Sequence, residues 1–334
     1  MRALVVSELR QRIRGRRWWI LLLLWFLVLL GLMLVIQNAA EQQAGFYPRR
    51  FREPPLGPSM FGSLTLLIVG LSCLIIPSLT STSINGERDR GTLAVLQSTL
   101  YRPRDIVLAK FLAAMVVALT FLVLTLPLTW WCFSEGGVHL GRTIVVYAII
   151  VLVLALMVLI GLAASALIRK PSLSAAAAYG FVFLLTIGSP ILFGLLLLGA
   201  PDVVNGYERQ VGWRWIILAP DPVVVLADAA PRAPRGPGVA VVSDPLESIR
   251  EAVRDARRPP EVYNKRGRQI DPATGEVIEF DPFTGEPELK TSEPPALWPW
   301  GLAIDVLIGA GAAYLAIERL RIPTHKLATG ERVA

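Results

Sequence analysis

Composition sets the first limits on this 334-residue chain: 54% of it is hydrophobic, 18% is charged and the mean hydropathy is +0.54. Soluble domains carry about 45–50% apolar and about 25% charged residues. Here the apolar residues also fall in long uncharged blocks, so a water-soluble enzyme or binding module is excluded. The net charge of +7 comes from basic residues at the ends of those blocks and in one polar loop, a pattern that fits anionic lipid headgroups and not nucleic acid.

Residues 1–17 read as an amphipathic interfacial helix, with Leu4, Val5, Leu9 and Ile13 on one face and Arg10, Arg12, Arg14, Arg16 and Arg17 supplying the charge. The apolar run that follows, 18–36, is too long for a signal-peptide core and lacks a small-residue cleavage site, so it is the first span. A bilayer core of about 30 Å takes about 20 apolar residues of helix, whose backbone groups must pair internally. By that measure the further spans are 60–83, 111–133, 143–168, 172–199 and 297–320. Pro190 removes a backbone donor and predicts a kink in the fifth, while Trp298 and Trp300 are interfacial anchors for the sixth. The expected fold is an all-α polytopic membrane protein, with spans one to five inside 18–199 and a small outward-facing α/β insert at 200–296. A tail at 321–334 completes it.

Orientation follows from Lys and Arg in the short loops. With the N-terminus inside, the cytoplasmic side receives Arg88, Arg90, Arg102, Arg104, Lys110, Arg169, Lys170, Arg319 and Arg321; outside lie Arg49, Arg50, Arg52 and Arg142. Both termini are then cytoplasmic. Cys73 lies deep in the second span and Cys132 near the outer end of the third, too different in depth for a bridge at about 1.5 Å of rise per residue. His139 and His325 lack partners at metal-ligand spacing, so no metal site is expected.

Within the insert, 211–228 is apolar but interrupted by Pro220 and Pro222, which predicts a re-entrant pair dipping into the outer leaflet. The part 229–295 is polar. Asp244 is a good N-cap, Pro245 fits the first helical position and Glu247 completes a capping-box pattern; Leu246, Ile249, Val253 and Ala256 then recur at helical spacing. Asp271–Glu276 and Asp281–Glu286 are near-repeats with Asp-Pro and Thr-Gly turn chemistry, which predicts short hairpin-like strands. Their carboxylates lack the dense alternation of a calcium loop.

The loop 84–110 is the most informative stretch. A charged cluster and Gly91 precede a short run that Thr92 can cap, with Leu93 and Leu96 on one face. Chemistry alone allows a plug for a groove on a partner or an ordinary solvated loop. The glycine spacing of Gly86 to Gly91 imitates a phosphate-binding loop, but it has no Lys to neutralise phosphate and no strand–helix unit around it. Glu87-Arg88-x-x-Gly91-Thr92-Leu93 after a second span, the Ser98-Thr99 pair and Lys110 opening the third span together resemble the permeases of type 2 ATP-binding cassette (ABC) exporters. The interfacial helix, the six spans and the broken apolar element before the last span extend the likeness. The family usually places a proline directly after the Ser-Thr pair, whereas Leu100 follows here and the proline comes at Pro103.

The resemblance implies a permease subunit without catalytic residues, cofactor or metal of its own, in the plasma (inner) membrane of a prokaryote. Glu87, Arg88, Gly91, Thr92 and Leu93, with Leu96 beside them, would couple it to cytoplasmic ABC ATPase subunits that hold ATP and magnesium. A second permease copy, identical or similar, would complete the membrane core, with lipids as the other partner. Two other classes stand beside this one: an ion-coupled secondary carrier, which wants several intramembrane charges and repeat symmetry, and a non-transporting anchor or assembly factor for the insert. Asp305 is the lone acid well inside a predicted span, on a face of small residues with Gly301, Gly309 and Ala313. It reads either as a proton or substrate contact or as a carboxyl hydrogen-bonded to a neighbouring helix.

Overall fold

The computed structural model describes residues 2–13, 15–44, 55–91, 102–198, 203–204, 207–208, 212–230, 244–255, 257, 262–263, 269–270 and 296–321. Among the described residues, six helical stretches are long and apolar enough to cross a membrane: Trp18–Ala39, Gly57–Asp89, Pro103–Ser134, Thr143–Leu167, Pro171–Leu196 and Trp298–Leu320. The chain is an all-α polytopic membrane protein. Its described strands are two antiparallel pairs of two residues each, Val203–Val204 with Tyr207–Glu208 and Val262–Tyr263 with Gln269–Ile270. The strands expected at 271–286 lie outside the described residues.

Helices α1 (Arg2–Ile13) and α2 (Arg16–Ala44) open the chain. Leu9 and Ile13 of α1 pack on the core, and the helix lies along the start of α5. In α2, Trp18, Leu22, Trp25, Leu29 and Met33 are buried at helical spacing, and both tryptophans meet Phe121 edge-on at 5.4 and 5.1 Å. The opposite face, with Leu23, Leu24, Leu27 and Val35, is exposed and apolar, as a lipid-facing surface must be. The helix runs past the expected end at residue 36.

α3 (Gly57–Thr80) begins and ends three residues before the expected span. A short helix, α4 (Asn85–Asp89), follows within the loop. The third span is not one helix: α5 (Pro103–Val123) and α6 (Leu126–Ser134) are separated at Leu124 and Thr125, because Pro127 has no N–H to offer the carbonyl of Val123. The Tyr147 hydroxyl fills this break, contacting the hydroxyls of Thr125 at 3.1 Å and of Thr129.

α7 (Leu140–Leu167) is the central post, with Ile149, Ile150, Val153, Leu154, Met157, Val158 and Leu162 buried. It stops at Ile168 because Pro171 forces Lys170 out of the helical region, to ψ 120°, and then opens α8 (Pro171–Phe183). In the fifth span, where Pro190 predicts a kink, the helix widens ahead of the proline. A π turn, Leu184–Gly188, precedes α9 (Ser189–Leu198) and accommodates the donor that Pro190 lacks. After a 3-10 turn at Gly212–Ile217 come α10 (Pro222–Ala229) and α11 (Pro245–Asp255), and α12 (Trp298–Leu320) is the last span, packed most extensively on α7.

The segment before the last span is built by caps. Asp221 accepts the Val223 amide at 2.8 Å to start α10, and Asp244 accepts the Leu246 amide at 3.0 Å to start α11, each ahead of a proline. Glu247 pairs with Arg250 at 2.6 Å. Arg250, almost wholly buried, also donates to the carbonyls of Ala227 and Ala230 at 2.8 and 2.7 Å and so closes the end of α10. Asp228 then accepts the amides of Leu297 and Trp298 at 2.6 and 3.2 Å, which fastens α10 to the start of the last span.

Candidate functional site

At the end of the bundle opposite this insert, one lysine joins three elements. Lys110 sits in the second turn of α5, with its side chain 2% exposed, and its Nζ donates to Glu8 Oε1 on α1 at 2.7 Å and to Glu87 Oε1 on α4 at 2.6 Å. A buried ammonium is stable only when paired and hydrogen-bonded, and here both partners come from elements remote in sequence. Removing the lysine would leave two carboxylates facing one another with little water.

α4 is fixed on its other side as well. The amides of Ile84 and Asn85 donate to Ser165 Oγ at 2.9 and 3.1 Å, and Asn85 Nδ2 donates to the Ile168 carbonyl at 3.3 Å. Ile84 is fully buried between them. Ser174 Oγ donates to the Ser81 carbonyl at 2.7 Å, which brings in the start of α8. α4 is thus bonded directly to Lys110 of α5 and to Ser165 of α7, and through Lys110 it is joined to α1.

Gly91 ends this device. Its φ of +72° lies in the left-handed region that a side chain disfavours, and its amide donates to the Arg88 carbonyl at 3.0 Å. The motif glycine is thus explained by backbone geometry. At the far side of the loop, Asp105 accepts the Arg102 amide at 3.2 Å and Pro103 opens α5, so the delayed proline starts a helix instead of ending one.

Of the residues singled out in the sequence, Glu87 and Arg88 stand on α4 and Gly91 just after it; Thr92, Leu93 and Leu96 lie outside the described residues. Sequence reading did not identify Glu8 and Ser165 as site residues, and it took Lys110 as a loop cation and as the lysine that opens the third span in the family motif, without a partner. The available signals were a lone acid among the arginines of 1–17 and a lysine already several residues inside an apolar helix. Asp305 is 5% exposed, and neither of its carboxylate oxygens has a hydrogen-bond partner among the described residues, so the helix-to-helix bond of one of its two readings is not seen there. Cys73 and Cys132 are free thiols, and no cluster of three or more metal-ligating side chains occurs among the described residues.

No curated protein sequence matches the chain. Residues 2–223 match the family described as ABC-2 family transporter protein, a stretch that runs from α1 to the first turn of α10 and contains the whole Lys110 node. The chain therefore belongs to the ABC-2 transporter family and is a multi-pass membrane permease of an ABC transporter.

Proposed function

We propose that this permease is driven by a separate cytoplasmic ABC ATPase that presses on α4 and the loop through residue 96, and that the Lys110 node converts the push into helix movement. The observation that supports this most is the double engagement of Lys110 by Glu8 and Glu87, with α4 bonded to Ser165 and Ile168 on its other face. A solvated loop needs no such anchorage. A small shift of a clamped element is passed on as rigid-body motion because packed interfaces are bistable and do not deform continuously.

In this reading the Lys110 end faces the cytoplasm, in keeping with the Lys and Arg bias of the short loops. Two permease copies and two ATPase subunits make the working transporter, and the direction is export. ATP and magnesium are held by the ATPase, and Glu87, Arg88, Gly91, Thr92, Leu93 and Leu96 form the contact. The test is co-purification of the permease with its ATPase. Leu93→Ala and Leu96→Ala together should weaken retention of the ATPase at least tenfold, and Glu87→Ala should leave retention intact while depressing permease-stimulated hydrolysis. Unchanged retention and hydrolysis in both variants would refute the proposal.

A further inference from the structure

Two glycines make seats for the insert. A Cβ added at Gly62 of α3 would collide with the Asp244 carboxylate, and one at Gly301 of α12 would collide with the Ala219 carbonyl and with Val225. Neither position admits a side chain while the insert is in place. α11, 11 residues or about 16 Å long, starts at the first seat and runs towards the second. Its first turn buries Leu246 fully in the main core, and Ile249 packs there too. Its last turn puts Val253 in a small cluster with Trp215, Leu297 and Ile304, at the start of the last span. The helix thus reaches from the second span to the sixth.

Three arginines hold it down. Arg250 donates to the Ala227 and Ala230 carbonyls at the end of α10. Arg254 meets Asp228, the acid that fastens α10 to the last span, at 3.3 Å. The Arg257 guanidinium lies 5.0 Å from the centre of the Trp215 ring in the 3-10 turn. Spaced four and three residues apart, the three share one side of the helix.

The seat lacks a broad apolar contact. Leu246 is fully buried, but Ile249 and Val253 are half-buried, and Ser248, Glu251 and Ala252 face outward. On lifting, the arginines and the carbonyls they bond exchange one another for water, so the net loss is small. No backbone bond within a span is broken. A helix held by so few apolar contacts is the kind of unit that opens while its surroundings stay folded. α11 also lies beyond residue 223, where the family match ends.

We propose that α11 is a releasable strap, which closes the insert end of the bundle between the second and last spans and lifts in each transport cycle. Its seat is given by these contacts; the lifting rests on the reading of the chain as a driven permease. Gly62, Asp244 and the three arginines are the residues that fasten it.

A reversible lock tests the lifting. The Cβ position at Gly62 lies 3.0 Å from Asp244 Cγ, so cysteines at both residues would have Cβ atoms within about 4.5 Å, the reach of a disulfide. In the assembled transporter, the oxidised Gly62→Cys, Asp244→Cys permease should stimulate ATP hydrolysis about tenfold less than its own reduced form. Dithiothreitol should restore the rate. Equal rates in the two forms would overturn the proposal. The seat itself is tested without an ATPase, by amide hydrogen exchange of the full chain in lipid nanodiscs. Gly62→Leu takes the place of the Asp244 carboxylate and should raise exchange across residues 245–255, with α7 and the Lys110 end at wild-type levels. Exchange unchanged at 245–255, or raised equally in α7, would also overturn it. A wild-type permease that stimulates no ATPase would refute the coupling proposal instead, and the exchange measurement would then decide the strap alone.

Discussion

The two ends of the bundle handle buried charge in opposite ways. At the Lys110 end one ammonium is shared by two carboxylates from different helices, and α4 is held by further hydrogen bonds to Ser165 and Ile168. At the insert end the buried cation, Arg250, pairs with Glu247 on its own helix and closes the end of α10, while the acids serve helix ends: Asp221 and Asp244 cap helices, Asp228 collects amides and Arg254, and Asp305 has no partner among the described residues. Pairing across elements transmits force, because no partner can move alone. Capping closes a structure, because Asp221, Asp228 and Asp244 each serve the helix end beside them. On this comparison the first end is tied across helices, as the proposed push on α4 requires, and the second is fastened helix end by helix end.

The largest expected effect falls on the first end. Lys110→Ala leaves Glu8 and Glu87 buried without their cation and should cost about 3–5 kcal/mol in detergent or lipid unfolding experiments. Adding Glu8→Gln and Glu87→Gln should recover much of the loss; no recovery would mean that lysine packing, and not charge, holds the node. At the insert end, Asp228→Ala removes the acceptor for Leu297, Trp298 and Arg254 and should cost about 1.5–3 kcal/mol. Hydrogen exchange should rise at the first turn of the last span, with the Lys110 end unaffected.

A smaller effect separates the ends by pH. Asp244 is buried against Gly62 and pushed up to about 6 by burial, with the Leu246 amide, Arg250 and the Glu247 amide opposing. An acid raised in the folded state holds its proton there more tightly than in the unfolded chain. Its contribution is therefore complete below the ordinary aspartate range and is lost as the pH climbs to about 6. Denaturant titration from about pH 4 to about pH 6 should show a decline on the order of 1 kcal/mol, which Asp244→Asn abolishes. The smallest effect is at Ser174, whose replacement by Ala removes one bond to the Ser81 carbonyl and should cost about 1 kcal/mol.

The spans were legible in the sequence because length and apolarity leave a helix no alternative in a bilayer. Caps were legible where the signal is local: Asp244-Pro245 was read in advance, and Asp221-Pro222 obeys the same rule although it was overlooked inside an apolar stretch. The division of the third span at Pro127 and the π turn before Pro190 were open to a stricter use of proline's missing donor. The node was not legible. Glu8, Glu87, Lys110 and Ser165 are far apart in the chain, and nothing local says which lysine near a helix start turns inward. The family motif led to Glu87 and Arg88; only the packing of α1, α4 and α5 together gives Lys110 its role.

The claim that Lys110 passes motion from α4 to the spans is tested most directly by ATP hydrolysis in the assembled transporter, measured with wild-type permease and with Lys110→Gln at equal permease content. The account predicts that the ATPase remains bound while permease-stimulated hydrolysis falls at least tenfold. Hydrolysis at the wild-type rate with the node broken would contradict it.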